Sequence, residues 1–336
     1  MPVRIAIDAM GGDFGPKPVL GALKHLADVP DIEVLLVGDP EELEPQLNGH
    51  PKARVVASKS VIGMEESATA AIKKKADSSI AVAVRLAKEG EADAVVSPGH
   101  TGATMACAVM NLGRLEGVIR PAVTTILPTG DHPIIVLDVG ANVDCKPEMF
   151  VDFAVMGTVY AEEVLGRTNP RVGLLSIGTE SKKGNEQTLA AYPLLEKAPV
   201  NFCGNMEGRQ IFGGSFDVVV CDGFVGNILL KFGEATAAHI YSELKDQIRQ
   251  VVASANLESA ALLKSTFESM FKRMDHEEYG GAPLLGVNGT CLVCHGGASD
   301  RALANAALNA AASVRHNVNQ RIVDRLAPLR GRRVSA

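Results

Sequence analysis

The sequence predicts an α/β protein built on a mostly parallel sheet, and three observations carry that prediction. Short apolar runs rich in Val and Ile recur along the 336 residues. Most of them end in a polar residue or glycine ahead of an amphipathic or alanine-rich helix, the order that parallel pairing requires. No linker or low-complexity segment interrupts the alternation, so a single α/β unit with two lobes is expected over residues 1–336.

The elements follow in chain order. "RIAIDAM" (4–10) alternates as a strand would and runs into Asp8, Gly11 and Gly12. Pro16 and Pro18 then fit the first turn of a helix, where a missing N–H costs nothing. Further strands are expected at 32–38, 53–58, 92–97, 123–128, 133–140, 171–178, 217–223 and 290–295. Pro147 opens the helix "PEMFVDFAVMGTVYAEEVLG", and Ser299 is the expected N-cap of "SDRALANAALNAAASVRHNV". The rhythm breaks between Phe224 and Asp275, where two helical stretches within 235–275 meet near Asn256 and Leu257. Ile240, Leu244, Ile248, Val252, Leu263, Phe267 and Met270 recur there at helical spacing. This predicts a projecting helical hairpin whose apolar stripe must be covered by a second copy, by the chain's own body or by a membrane surface. The basic ending "RLAPLRGRRVSA" reads as a frayed, solvated tail.

Composition removes several function classes. With 46% hydrophobic and 21% charged residues the chain can bury a large core, which excludes general disorder. A formal net charge of −6 argues against nonspecific nucleic-acid binding. No stretch reaches the ~18 to 20 apolar residues of a spanning helix, and the start lacks signal-peptide anatomy, so a cytoplasmic protein is expected. Cys291 and Cys294 form the only C-x-x-C. On a strand their sulfurs face opposite sides, which predicts packed thiols rather than a metal or redox pair. There is no Walker A loop, G-x-G-x-x-G, G-x-S-x-G or H-E-x-x-H, and neither a metal nor a cofactor is expected.

"VVSPGHTGATMACAVM" ends a strand at Ser97 and opens a helix at Thr101 and Gly102. A helix start offers unpaired N–H groups and the positive end of the helix dipole, so Gly99, His100, Thr101 and Gly102 form a candidate anion cradle, with phosphate the obvious guest. Four other loops at strand ends resemble it in kind, carrying Asp138, Asn142 and Asp144; Lys182, Lys183 and Asn185; Asp222, Asn227 and Lys231; and Asn288 and His295. Each also has a plain reading as turn asparagine, capping aspartate, solvated lysine or core histidine. Together with the Asp8, Gly11 and Gly12 junction they are expected to form one active-site rim.

The motifs "AIDAMGGD", "SPGHTGA", "DVGANVDCKPE", "GNMEGRQIF", "DVVVCDGFVGN", "EYGGAPLLGVNG" and "CHGG" span nearly the whole chain. On them the chain resembles the bacterial phosphate acyltransferases of phospholipid synthesis, which move a fatty acyl group from acyl carrier protein to inorganic phosphate. The resemblance implies a three-layer α/β/α fold of the phosphotransacetylase and isopropylmalate dehydrogenase type. It also implies a homodimer, peripheral contact with the inner face of the membrane, and a membrane glycerol-phosphate acyltransferase as acceptor of the acyl phosphate. Pro98 and His100 stand where the family usually has Ala and Asn, and Gly297 and Ala298 where it usually has Ser.

For this chemistry phosphate is expected against the N–H groups of residues 99 to 102 and the Thr101 hydroxyl, with Asp8, Gly11, Gly12, Asp138, Asn142 and Asp222 completing the binding site. Lys183 would neutralise phosphate or the tetrahedral oxyanion, Asn227 or Asn185 would donate to that oxyanion, and His295 would protonate the leaving sulfur. Lys73, Lys74 and Lys75 are the densest basic run before the tail and the candidate docking site for the acidic carrier protein. Transfer between a short acyl coenzyme A and phosphate would need the same cradle, and a non-catalytic scaffold binding acyl carrier protein is the third reading.

Overall fold

The computed structural model describes every residue except Asn48, Asp131, Ala255, Asn256, Met274 and residues 334–336. Its strands are β1 (Val3–Asp8), β2 (Ile32–Gly38), β3 (Ala53–Ala57), β4 (Ala94–Ser97), β5 (Ala122–Leu127), β6 (Ile134–Leu137), β7 (Arg171–Leu175), β8 (Asn201–Met206), β9 (Val218–Val220), β10 (Ala282–Leu285) and β11 (Thr290–Val293). Its helices are α1 (Pro16–Leu26), α2 (Pro40–Leu47), α3 (Ala68–Lys74), α4 (Ser79–Lys88), α5 (Thr101–Asn111), α6 (Pro147–Glu163), α7 (Glu186–Leu195), α8 (Gly223–Ser254), α9 (Leu257–Lys272), α10 (Asp300–Arg315) and α11 (Val318–Arg333).

All eleven strands join one sheet in the order β3, β2, β1, β4, β11, β10, β5, β6, β9, β7, β8. The pairs β1 with β2 and β4, β4 with β11, β2 with β3, β6 with β9, and β7 with β8 and β9 are parallel. The centre is not: β10 runs antiparallel to β11 and β5, and β5 antiparallel to β6. Two strands were invisible to pattern reading. β8 ("NFCGNM") carries Asn and Gly at positions where strands favour β-branched residues, and β10 ("APLL") is four residues long and begins immediately after a pair of glycines.

Strands buried on both faces explain the runs that periodicity detected. In β1, Ile5 and Ile7 pack under α1 and α10 while Ala6 faces the opposite side; in β6, Ile134 and Val136 face that same opposite side while Ile135 and Leu137 pack under α6. Cys291 and Cys294 divide between the two faces as expected, both buried as free thiols whose pKa burial pushes up to about 12. The tail expectation fails. α11 continues through "RLAPLRGRR" to Arg333, because Val318, Ile322 and Leu326 are buried against α6 and Arg325 pairs with Glu162. The ending is therefore helical to Arg333 and packed as far as Leu329.

The hairpin is longer than expected. Its first arm is α8, which begins at Gly223 and runs for 32 residues, about 48 Å. Tyr241 stacks on Phe267 at 5.7 Å, and Phe271 sits 4.6 Å from Tyr241 and 4.5 Å from Phe267, which seals the two arms. Asn256, at the expected joint, lies outside the described residues. Ile240, Leu244, Leu263 and Met270 stay exposed on the single chain, while Phe267 is taken up in the seam.

Candidate active site

The loops after β1, β4 and β11 meet at one edge of the sheet. Asp8 is 2% exposed. Its Oδ1 accepts the Gly11 N–H at 3.1 Å, and its Oδ2 accepts the Ser97 hydroxyl at 2.8 Å, with Ser79 a further donor. Burial raises the Asp8 pKa, and these donors oppose the rise. Ser97 Oγ accepts in turn from the Gly99 N–H at 3.1 Å and the Thr104 hydroxyl at 3.2 Å. The backbones of Gly11 and Gly99 press together over this carboxylate: a Cβ on Gly11 would lie 2.6 Å from Asp8 Oδ2 and 2.7 Å from Gly99 Cα.

This network narrows the cradle. The Gly99 N–H is spent on Ser97, and the Ala103 N–H donates to His100 Nδ1 at 3.2 Å, which makes His100 the N-cap of α5. The Thr101 and Gly102 N–H groups open the helix with no intrahelical acceptor, beside the exposed Thr101 hydroxyl. Gly12, at φ 85°, lies under Pro98 and the Gly296 carbonyl, and that carbonyl accepts the Asp13 N–H at 2.8 Å. His295 is exposed, its Nδ1 accepting the Gly297 N–H at 3.1 Å. Ser79, Ser97 and Asp13, which join this group, were not picked out from the sequence as site residues. Asp13 follows the glycines, Ser97 ends β4, and Ser79 is the first residue of α4.

A second group forms after β6 and β9. Asp138 is fully buried and its oxygens accept the N–H groups of Val123, Gly140, Ala141 and Asn142 and the Asn142 amide, all at 2.7 to 3.1 Å. Burial raises its pKa against these donors. Asn142 also donates to the Pro121 carbonyl at 2.8 Å, and its own carbonyl accepts the Gly223 N–H at 2.7 Å. Asp222 accepts the Val225 N–H at 2.9 Å and so caps the start of α8. Asn227, on the second turn of α8, is half-buried, with its side chain 3.8 Å from where a Gly140 Cβ would lie.

The third group follows β7. Lys183 is exposed and its stem lies over Gly178, while its carbonyl accepts from Ser176 Oγ at 3.0 Å. Asn185 caps α7, its Oδ1 accepting the Thr188 N–H at 2.9 Å and the Thr188 hydroxyl at 3.0 Å. Lys73 and Lys74 are exposed on α3, which packs beside α5, but Lys75 is tied to the Val61 carbonyl at 2.7 Å and to Glu66 at 2.5 Å.

The five loops do not all leave the same edge of the sheet. Because the three antiparallel pairings, β11 with β10, β10 with β5 and β5 with β6, add to one net reversal, the carboxyl ends of β6, β9 and β7 point the opposite way from those of β1, β4 and β11. What relates the groups is the shared face of the sheet. α5, carrying the cradle, packs over β11, and α8, carrying Asn227, packs over β5; both line one hydrophobic core. The two strands are two spacings apart, about 10 Å, the distance between neighbouring helices.

Comparison with known proteins agrees with this architecture. A family profile described as "Fatty acid synthesis protein" matches residues 3–321. The chain is 49% identical over 309 residues to a phosphate acyltransferase of Desulfitobacterium hafniense, covering 90% of this chain and 92% of that one. It is 47% identical over 321 residues to a phosphate acyltransferase of Heliobacterium modesticaldum, covering 94% and 95%. The fold matches the EutD phosphotransacetylase of Staphylococcus aureus with a TM-score of 0.63 at 16% identity, over 93% of this chain and 94% of that one. It also matches 4-hydroxythreonine-4-phosphate dehydrogenase of Klebsiella pneumoniae with a TM-score of 0.55 at 14% identity, over 93% and 98%.

Proposed function

The chain belongs to the fatty acid synthesis protein family of phosphate acyltransferases, and from that premise we propose that it transfers a long-chain acyl group from acyl carrier protein to inorganic phosphate. The observation that carries this reading is the α5 cradle, where two free N–H groups and a hydroxyl stand at the positive end of a helix rigidly set by Asp8 and Ser97.

Phosphate is already anionic at neutral pH, so it needs alignment more than deprotonation. One of its oxygens attacks the thioester carbonyl carbon, the carbon–sulfur bond breaks, and the thiol, with a pKa of roughly 8.5, leaves readily. Thr101 and Gly102 hold the phosphate, and Lys183 offsets charge on phosphate or on the tetrahedral oxyanion. Asn227 or Asn185 donates to that oxyanion through its Nδ2, since the helix cap engages only Oδ1 of Asn185. His295 meets the leaving sulfur through Nε2, its Nδ1 being engaged by Gly297. Asp8, Asp138 and Asp222 shape the loops from within, and Gly11, Gly12 and Asn142 belong to the same scaffold.

The acidic carrier docks on Lys73 and Lys74, beside the cradle, with Lys75 left out by its tie to Glu66. Reversing both charges, Lys73→Glu with Lys74→Glu, is expected to raise the KM for the carrier thioester at least ~5-fold at low salt, with kcat little changed. A KM that stays put would remove the docking site from α3. The exposed apolar residues of the hairpin are covered by a second copy or rest on the membrane face, where the acyl phosphate passes to a glycerol-phosphate acyltransferase. None of the described helices is long and apolar enough to cross a membrane.

The deciding experiment mixes purified protein with long-chain acyl carrier protein, with and without phosphate, and follows free carrier thiol together with acyl phosphate trapped by hydroxylamine. Phosphate-dependent appearance of both is expected. Binding without release would mean a scaffold, and activity only with short acyl coenzyme A would mean the other donor.

A further inference from the structure

We infer that Asn205 is a positioning residue for acyl transfer, one that clamps the backbone on which Lys183 is displayed; the inference rests on the Lys183 role proposed above. Asn205 belongs to "GNMEGRQIF", whose residues have no part in the chemistry described so far. It lies near the end of β8, at the edge of the sheet, and is 4% exposed.

Its Nδ2 donates to the Glu180 carbonyl at 2.7 Å and to the Lys183 carbonyl at 3.3 Å. Two carbonyls fix the orientation of the amide, because turning it over would set oxygen against oxygen. Ser176 Oγ donates to the same Lys183 carbonyl at 3.0 Å, and the Lys183 N–H closes the turn on the Glu180 carbonyl at 3.0 Å. The Ser176 N–H donates to the Met206 carbonyl at 2.8 Å, which locks the end of β7 to β8. The loop is therefore held from two strands at the carbonyls that bracket Lys183, while the Lys183 side chain is exposed.

The clamp carries a cost. Asn205 Oδ1 is buried with no hydrogen-bond partner, and an unpaired buried acceptor is unfavourable. An apolar residue would fill this edge position without that penalty. The amide is explained by what its two N–H groups do for the loop, and displacement of a charged group by about 1 Å is enough to cost ~100-fold in rate.

Asn205→Asp keeps the side chain's size, loses both donors and sets a carboxylate against two carbonyls. With long-chain acyl carrier protein and inorganic phosphate, it is expected to lower kcat ~10- to 100-fold, with the KM for the carrier thioester within ~2-fold of the parent. In a Lys183→Ala background the same change should cost less than ~2-fold, because the group being positioned is gone. Ser176→Ala removes the second clamp, is expected to follow the same pattern with a smaller loss, and decides the matter should Asn205→Asp not fold. Equal losses in both backgrounds, with Lys183→Ala itself impaired, would overturn the positioning role and leave a structural one. Near-normal turnover of Lys183→Ala alone would overturn the Lys183 role on which the inference rests.

Discussion

Lys183→Ala is expected to lower turnover at least ~100-fold while leaving the fold intact, the size of loss that follows removal of one preorganised oxyanion stabiliser. The fold should survive because the side chain is exposed and the loop is held through backbone groups, by Ser176, Asn205 and Glu180. The loss should fall on kcat more than on the KM for the carrier thioester, since charge builds up in the transition state. Steady-state rates at saturating phosphate, with circular dichroism as the check on folding, decide it. Lys183→Arg keeps the charge but spreads it over a planar fork, and is expected to recover only part of the activity. Turnover within a few-fold of the parent for Lys183→Ala would take the residue out of the mechanism.

The second large effect is structural. A Cβ on Gly226 would lie 1.9 Å from the Asp138 carbonyl oxygen and 2.9 Å from Cys221 Sγ. The first of these is backbone, carried by the residue whose carboxylate gathers five hydrogen bonds, so it cannot give way cheaply. Gly226→Ala is therefore expected to destabilise the protein by at least ~3 kcal/mol, the upper range for overpacking, and to abolish turnover by pushing Asn227 and the β6 loop apart. Gly233, further along the same helix, has nothing within reach of an added Cβ. Gly233→Ala is expected to stabilise by ~0.5 to 1 kcal/mol through helix propensity alone. Urea unfolding of the two variants separates steric conflict from backbone entropy, and a Gly226→Ala midpoint equal to the parent's would refute the close approach.

The residues differ in how far local pattern revealed them. Pro16, Pro147, Thr101 and Ser299 mark helix starts by chemistry that acts within a turn, and all four stand where helices begin or are capped. β8 and β10 stayed hidden because pairing with a neighbouring strand, and not their own composition, makes them strands. The site behaved in the same way. The cradle loop was legible from its glycines and hydroxyl, whereas Ser97, Ser79 and Asn205 gained meaning only through partners distant in the chain. Lys75 read as part of a basic run, yet it pairs with Glu66, nine residues earlier at the other end of α3.

Sequence alone determined the alternation of strand, loop and helix, the places where glycine and polar residues crowd the strand ends, and the family to which those motifs belong. These properties are local: side-chain period, capping and turn chemistry act over a few residues. Tertiary structure decided which way each half of the sheet runs, which aspartates are consumed in holding loops, and which N–H groups of the cradle remain free. Those outcomes depend on hydrogen bonds such as Ser97 to Asp8, 89 residues apart, and on a reversal completed where β5 pairs antiparallel with β6. A donor or carboxylate is free or spent according to what the fold places beside it, and that neighbour is written elsewhere in the chain.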